Sequence, residues 1–290
     1  MIWLIGNKGM LGTEMELVLK ANFLSFFSSD KEIDVSDADS LRSFVKDRSV
    51  AWIINCSAYT AVDKAEDEAD LAFKINAKGA ENIATLAQEI GSKIIHISTD
   101  YVFDGLKNGA YFEEDQPNPV TVYGKSKLEG ELKLKKRCQR SFIFRISWLF
   151  GLYGPNFVKT MLRLMSEKEQ IRVVSDQWGS PTYTKDFVDL ALKLIKKNSE
   201  LYGIYHFSGE GKTNWFEFAQ YVYNRAFEKK IITNKVSIHP IKTSDYPTKA
   251  KRPLDSYLSK EKTKKTFDFS VPFWQKSVDH FLDEFISEQK

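Results

Sequence analysis

Short apolar runs alternate with helical periods through the first half of the chain. The strand-like runs are Ile2–Ile5, Phe23–Phe27, Ala51–Asn55, Lys93–Ser98 and Phe142–Ser147. Between them, Met10–Lys20, Ala38–Asp47, Ala69–Ile90 and Gly124–Lys136 carry the spacing of amphipathic helices. Strands that are apolar at nearly every position must be covered on both faces, which helical crossovers over a parallel sheet provide. Right-handed crossovers then predict a doubly wound α/β fold over residues 1–150.

Beyond residue 150 the alternation becomes irregular. Helices are expected at Phe157–Glu167, Lys185–Lys197, Trp215–Phe227 and Phe273–Ile286, strands at Ile171–Ser175 and Gly203–Phe207, and a loop over Pro240–Pro253. There is no internal repeat and no low-complexity linker. Residues 151–290 therefore read as a smaller, mainly substrate-binding lobe, with a segment near 203–207 returning to the sheet.

Composition narrows the function classes. The 290 residues are 42% hydrophobic and 28% charged with net charge +3, and acids and bases are interspersed, which argues against nucleic acid or a membrane surface as partner. The basic tract Lys133 to Arg140 closes a predicted helix, where cations suit the dipole. Cys56 and Cys138 form neither a disulfide framework nor a metal spacing. No apolar run reaches the ~18–20 residues of a spanning helix, and the N-terminal one is too short for a signal segment, so a cytoplasmic location is expected.

Candidate chemistry begins between the first strand and the first helix. Gly6, Gly9 and Gly12 form a Gly-x-x-Gly-x-x-Gly loop there. One glycine serves the tight turn, one the close approach of backbone to a pyrophosphate, and one the helix–sheet packing. The helix N-terminus adds unpaired N–H groups and a positive dipole end. This is the pattern of an NAD(P)-binding Rossmann domain, and the spacing is that of short-chain dehydrogenases/reductases. An acid that would bind the ribose hydroxyls of NAD is missing at Phe26–Ser29. Ser28 and Ser29 stand there, followed by Asp30 and Lys31. NADPH should therefore be accepted, with NADH also a substrate; Asp30 is the residue that argues the other way.

A second set of residues fits proton transfer to a carbonyl. Tyr123 and Lys127 fall one turn apart on a predicted helix, 24 residues past Ser98-Thr99-Asp100. With twelve tyrosines and many lysines in the chain, roughly one Tyr-x-x-x-Lys is expected by chance; its order after the glycine loop and the strand end carries the information. A phenol is a competent acid at neutral pH, and a nearby ammonium should bring its pKa toward the working range. Thr99, at the carboxyl end of the fourth strand, would hold the same oxygen. The plainer reading has Tyr123 on a surface helix with Lys125 and Lys127 as solvated charges.

Longer blocks carry a resemblance. Asn55 to Glu66, Ser98-Thr99-Asp100-Tyr101-Val-Phe-Asp104, Tyr123-Gly-Lys-Ser-Lys127, Phe144-Arg145-Ile-Ser-Trp148, Asn156 to Arg163, Asp176 to Thr182 and Lys251-Arg252-Pro253 resemble the dTDP-4-dehydrorhamnose reductase family, extended short-chain reductases, over nearly the whole chain. The resemblance implies reduction of dTDP-6-deoxy-L-lyxo-4-hexulose to dTDP-L-rhamnose with NADPH or NADH. It implies Tyr123 as acid, Lys127 as its partner at the nicotinamide ribose and Thr99 as the keto-oxygen ligand. Gly6, Asn7, Lys8, Gly9, Met10, Leu11, Ser28, Asp34, Val35, Ala58, Tyr59 and Thr60 would contact cofactor, and Thr99, Asp100, Trp148 and Arg252 the sugar nucleotide. The plainer readings are Trp148 as core at a strand end, Arg252 as a surface charge, and Asp34 and Asp63 as helix or turn caps.

Some members of that family are described as magnesium-bridged dimers using glutamates. Glu14 resembles one such position, but Lys185 falls where another acid is expected, so both monomer and homodimer stay open. The alternatives are a reductase giving a 6-deoxy-talose-type product, or a non-catalytic subunit resembling the regulatory subunit of methionine adenosyltransferase. A dehydratase would carry Asp-Glu after the threonine, whereas Asp100 is followed by Tyr101.

Overall fold

The apolar runs of the first half lie side by side because their side chains can be buried only between two layers of helix. The computed structural model describes residues 1–288. Its first half runs β1 (Ile2–Ile5), α1 (Met10–Ala21), β2 (Phe26–Ser29), α2 (Ala38–Val45), β3 (Trp52–Asn55), α3 (Val62–Ala65), α4 (Ala69–Phe73), α5 (Ala80–Ile90), β4 (Lys93–Thr99), α6 (Val122–Arg137) and β5 (Ser141–Ile146). The short strands β6 (Leu149–Phe150), β7 (Gln170–Val174), β8 (Trp178–Gly179) and β9 (Thr182–Tyr183) follow, with α7 (Phe157–Glu167) between β6 and β7. The chain ends with α8 (Thr184–Lys196), β10 (Gly203–Phe207), β11 (Thr213–Asn214), α9 (Trp215–Glu228), β12 (Ser237–Ile241), α10 (Glu261–Phe267) and α11 (Trp274–Glu288).

The six-stranded sheet has the order β10-β5-β4-β3-β1-β2 and is parallel throughout. One face carries Leu11, Met15 and Leu19 of α1 and Phe187, Leu190 and Leu194 of α8. The other is covered by Leu41 of α2, Ile83 and Leu86 of α5 and Leu134 of α6. A separate core, with Met161 and Met165 of α7, Phe218 and Val222 of α9 and Phe281 of α11, holds the smaller lobe. The buried Trp3 shows what a bulky residue needs in such a strand: its indole N–H donates to Ser29 Oγ at 2.9 Å.

Four elements differ from their sequence reading. The second strand starts at Phe26 rather than Phe23, because Phe23 turns the chain after α1 with φ 53 and points into solvent. The long helix expected over Ala69–Ile90 contains a π-helical segment, Lys74–Gly79, which interrupts the regular ladder. The stretch Pro240–Pro253 begins in strand, since β12 pairs with β7 in parallel. Helix α10, Glu-Lys-Thr-Lys-Lys-Thr-Phe, is too polar to announce itself by an apolar period, and only Thr263 and Phe267 are buried.

Candidate active site

A cavity of about 790 Å³ opens at the carboxyl ends of β1, β4 and β5, between the sheet and the smaller lobe. This is where an open α/β sheet binds ligands. The glycine loop forms one end. Gly6 has φ +81, and a Cβ on Gly12 would sit 2.0 Å from the Gly6 carbonyl oxygen, so these two positions are fixed by the fold. A Cβ on Gly9 would meet only the Gly6 oxygen, at 3.4 Å, so Gly9 is not needed for packing; it lines the cavity with Met10 and Leu11. Helix α1 has no side-chain cap and no acid in its first turn. Its N-terminal N–H groups are thus available to an anion, and the loop fits a dinucleotide pyrophosphate.

Next to this loop, Asn7 Nδ2 donates to Ser28 Oγ at 3.1 Å and to Glu16 Oε2 at 2.6 Å. The end of β2 itself carries no acid, yet α1 delivers a carboxylate beside it. The hydrogen bonds from Lys20 and Asn7 outweigh partial burial and hold Glu16 below the usual carboxylate range, and Lys8 acts in the same direction. Lys8 is exposed.

Three other residues named for the cofactor have their side chains outside the cavity lining. Asp34 accepts from Ser36 N–H at 2.9 Å and pairs with Lys74 at 3.3 Å, closing a turn before the N-cap of α2, which is Asp37. Val35 is buried and packs over Gly79. The Tyr59 hydroxyl donates to Glu68 at 2.6 Å, away from the cavity, while Ala58 and Thr60 line it.

The centre of the cavity holds the hydroxyl, phenol and ammonium groups. Thr121 caps α6 by accepting from Gly124 N–H at 2.9 Å, which fixes the first turn and so the direction of Tyr123. Lys127 lies one turn on, buried, whereas Lys125 is exposed. Lys127 Nζ donates to the Ile97 carbonyl at 2.6 Å. Burial pushes the Lys127 ammonium down to about 8, with the Glu131 carboxylate opposing. Tyr123 moves the other way: burial pushes its phenol up to about 12, against a hydrogen bond with Thr99.

That corrects the expected lowering of the Tyr123 pKa by Lys127. The ammonium is turned to a backbone oxygen, and desolvation of the phenolate wins. The Tyr123 phenol is accordingly held protonated. Asp100, buried beside Thr99, is pushed up to about 6 by burial, with hydrogen bonds from Ser256 and Thr99 opposing.

The far wall is aromatic and charged. Trp148 adopts φ 47, a left-handed conformation costly for a bulky residue, and stacks on Trp215 with centroids 3.7 Å apart and planes 12° from parallel. Phe157 packs against Trp215 at 4.6 Å. All three rings line the cavity. So does Arg252, whose guanidinium is held in a fork by Asp63 at 3.1 and 2.7 Å. Asp63 is therefore the partner of Arg252 rather than a helix cap.

Several residues at the site carry no local sequence signal. Asn76, in the π-helical segment, pins the 58–60 loop: its Oδ1 accepts from Tyr59 N–H at 2.8 Å and its Nδ2 donates to Ser126 Oγ at 2.9 Å. Its one clue is a polar residue on the buried stripe of a helix. Glu131 accepts from Ser98 and from Arg145 in a buried cluster directly behind Thr99 and Lys127. Trp215 and Ser256 come from the distant second half of the chain.

Around Glu14 the structure sets a lysine among the acids. Glu14 is buried on α1 with Thr184 Oγ1 at 3.4 Å, and Lys185 Nζ occupies the neighbourhood, paired with Glu284 at 2.6 Å. Among the described residues no group of three or more His, Cys, Asp or Glu side chains is arranged to hold a metal ion, and no helix is long and apolar enough to cross a membrane.

Comparison with known proteins adds to this geometry. Residues 1–287 match the family model described as the RmlD substrate binding domain. A dTDP-4-dehydrorhamnose reductase of Aggregatibacter actinomycetemcomitans is 40% identical over 279 residues, covering 94% of this chain and 95% of the relative. The crystal structure of a dTDP-4-dehydrorhamnose reductase from Bacillus anthracis in complex with NADP superposes with TM-score 0.92 at 39% identity, covering 98% of both chains. The enzyme of that name from Clostridium acetobutylicum also superposes with TM-score 0.92, at 35% identity over 98% of this chain and 99% of that one.

Proposed function

The chain belongs to the dTDP-4-dehydrorhamnose reductase family, and from that premise we propose how its residues divide the work. It is an oxidoreductase that reduces the 4-keto group of dTDP-4-dehydro-L-rhamnose to give dTDP-L-rhamnose, with NADPH as cofactor. NADPH, when bound, supplies the hydride. The N-terminal turn of α1 with Gly9, Met10 and Leu11 holds the pyrophosphate, and Ala58, Thr60 and Lys127 border the remainder of the cofactor.

The proton comes from Tyr123. As negative charge develops on the sugar's keto oxygen, the phenol donates to it and Thr99 donates a second hydrogen bond to the same oxygen. Lys127 keeps an ammonium within the buried site, one turn beyond Tyr123, where it meets the nicotinamide ribose. Trp148, backed by Trp215, forms the apolar side of the sugar pocket, and Arg252 meets the diphosphate.

One observation carries this reading: the Tyr123 phenol, the Thr99 hydroxyl and the Lys127 ammonium line the same cavity as the open N-terminus of α1. Adding the keto-sugar nucleotide to purified protein should oxidise NADPH, and proton NMR should show the rhamno configuration in the product. NADPH left unconsumed would sink the reading, and a talo product would correct its stereochemistry.

A further inference from the structure

The two oxygens of Asp100 face two different hydroxyls. Thr99 Oγ1 and Asp100 Oδ1 are 3.1 Å apart, and Ser256 Oγ and Asp100 Oδ2 are 2.5 Å apart. Ser256 is 3% exposed and belongs to the second half of the chain. Backbone bonds pin its segment: Trp178 N–H donates to Leu254 O at 2.7 Å, and Ser256 N–H donates to Trp178 O at 2.9 Å. Nearby, Arg252 is tied to Asp63 and Lys212 to Asp255 at 2.5 Å. The segment is thus held at both ends while the serine hydroxyl reaches the catalytic strand.

Proton counting gives this contact a consequence. A threonine hydroxyl has one proton and two lone pairs, and one lone pair of Thr99 already accepts from Tyr101 N–H at 3.2 Å. If the single Thr99 proton points at an ionised Asp100, it is not available to the keto oxygen. If Asp100 carries a proton on Oδ1, that proton fills the second lone pair of Thr99, and the Thr99 proton is released from Asp100 to the Tyr123 side of the cavity, where the keto oxygen would compete for it with the phenol oxygen. A proton on Oδ2 would leave Thr99 donating to Asp100.

We propose that Ser256 is a positioning residue for the reduction: by donating to Oδ2 it places the Asp100 proton on Oδ1, and so turns the Thr99 hydroxyl toward the sugar's keto oxygen. The inference rests on the reading of Thr99 as the ligand of that oxygen. Burial of Asp100 favours the neutral form it requires. The titratable groups facing Asp100 are Tyr101 and Tyr123, with the Arg252–Asp63 pair beyond Tyr101.

The test is kcat/KM against pH for the intact enzyme and its variants, with NADPH affinity from fluorescence titration as the check on folding. The acid proton is present below the Asp100 pKa and lost above it, so wild-type activity should fall as pH rises through about 6, the value to which burial pushes this carboxyl. The Ser256 hydrogen bond lowers that pKa. Ser256→Ala should therefore move the limb to higher pH while lowering the plateau several-fold, and Ser256→Thr should restore both. In Asp100→Asn the amide oxygen accepts from Ser256 and the N–H faces Thr99, so this limb should disappear. An unchanged profile in Ser256→Ala, no rescue by Ser256→Thr, or a surviving limb in Asp100→Asn overturns the proposal. Thr99→Val separates the two readings. If it is inactive while Ser256→Ala behaves as wild type, only the role of Ser256 falls; if it keeps wild-type kcat, the role of Thr99 falls as well.

Discussion

The floor of the cavity and its far wall are held by different kinds of bond. On the floor, Gly6, Thr99, Tyr123 and Lys127 hang on backbone: a positive-φ turn, a strand end, a capped helix and a carbonyl that accepts the lysine. On the wall, Trp148 and Arg252 are held by other side chains, namely Trp215 and Asp63. A floor anchored in a parallel sheet can keep reacting groups at fixed distances, as hydride and proton transfer demand. A wall of interlocked side chains can be exchanged piece by piece, which suits recognition of one sugar nucleotide among several. Changes on the floor should therefore appear in kcat, and changes on the wall in KM.

The largest effect belongs to the floor. Tyr123→Phe removes one hydroxyl and leaves the ring against Tyr101, so fold and NADPH affinity should survive while kcat falls by about 10²–10⁴, the usual worth of a positioned acid. Steady-state rates with a deuterated cofactor, to confirm that chemistry is limiting, check it. A variant retaining more than a tenth of wild-type kcat would end the assignment of Tyr123 as the acid.

Lys127→Met should cost less, about 10²-fold in kcat, and unlike the tyrosine change it should also weaken NADPH binding. Its charge gives a pH signature as well. A lysine pushed down to about 8 keeps its ammonium below that pH and loses it above. NADPH affinity in the wild type should thus decline on the alkaline side, with a midpoint near 8, and the Met variant should lack that decline. Titrations of both proteins from neutral to alkaline pH decide it; a wild-type affinity flat through this range removes Lys127 from the cofactor site.

These floor residues are also the ones that sequence alone brings together. A glycine between strand and helix, a hydroxyl at a strand end and a Tyr/Lys pair four apart are all constraints on backbone or on one helix face, and those are local. The wall is not local. Arg252 reaches Asp63 across 189 positions, and behind the floor Ser256 reaches Asp100 across 156. No period or spacing encodes such a meeting. Trp215 reads as an ordinary helix start until the left-handed turn at Trp148 lays one indole on the other. Glu16 escapes for a milder reason: it sits in the second turn of α1, and only the fold brings it beside Ser28 through Asn7. The π-helical segment is invisible for a third reason, since its residues keep an ordinary helical composition and the irregularity serves to seat Asn76 against the 58–60 loop.

On the wall, Arg252→Ala should raise KM for the dTDP-sugar about tenfold, or ~1.4 kcal/mol, with kcat and NADPH affinity nearly unchanged. The Asp63 fork already occupies part of the guanidinium, so the loss should be smaller than that of a free arginine. Calorimetry with dTDP-rhamnose checks it. Unchanged affinity would make the Arg252–Asp63 pair a structural clasp and move diphosphate recognition elsewhere.

The smallest effect tests the boundary between the two regimes, at the end of β2. Ser28 is on the floor by backbone, yet what it meets is decided by side chains: Asn7 bridges it to the Glu16 carboxylate. One acid is thus already present beside the strand end, offset by Lys8 and Lys20. Ser28→Asp adds a second at the position where an acid binds ribose hydroxyls and repels a 2′-phosphate. At the surface two such charges a few ångströms apart differ by about 1 kcal/mol in water-like surroundings. The ratio of kcat/KM for NADPH over NADH should accordingly fall about fivefold. Glu16→Gln should move the same ratio the other way, by less, because its charge is partly neutralised. The pair of variants is diagnostic in sign. Opposite shifts place the adenosine ribose between Ser28 and Glu16, whereas shifts of the same sign, or none, would mean that cofactor choice is made by Lys8 and Lys31 alone.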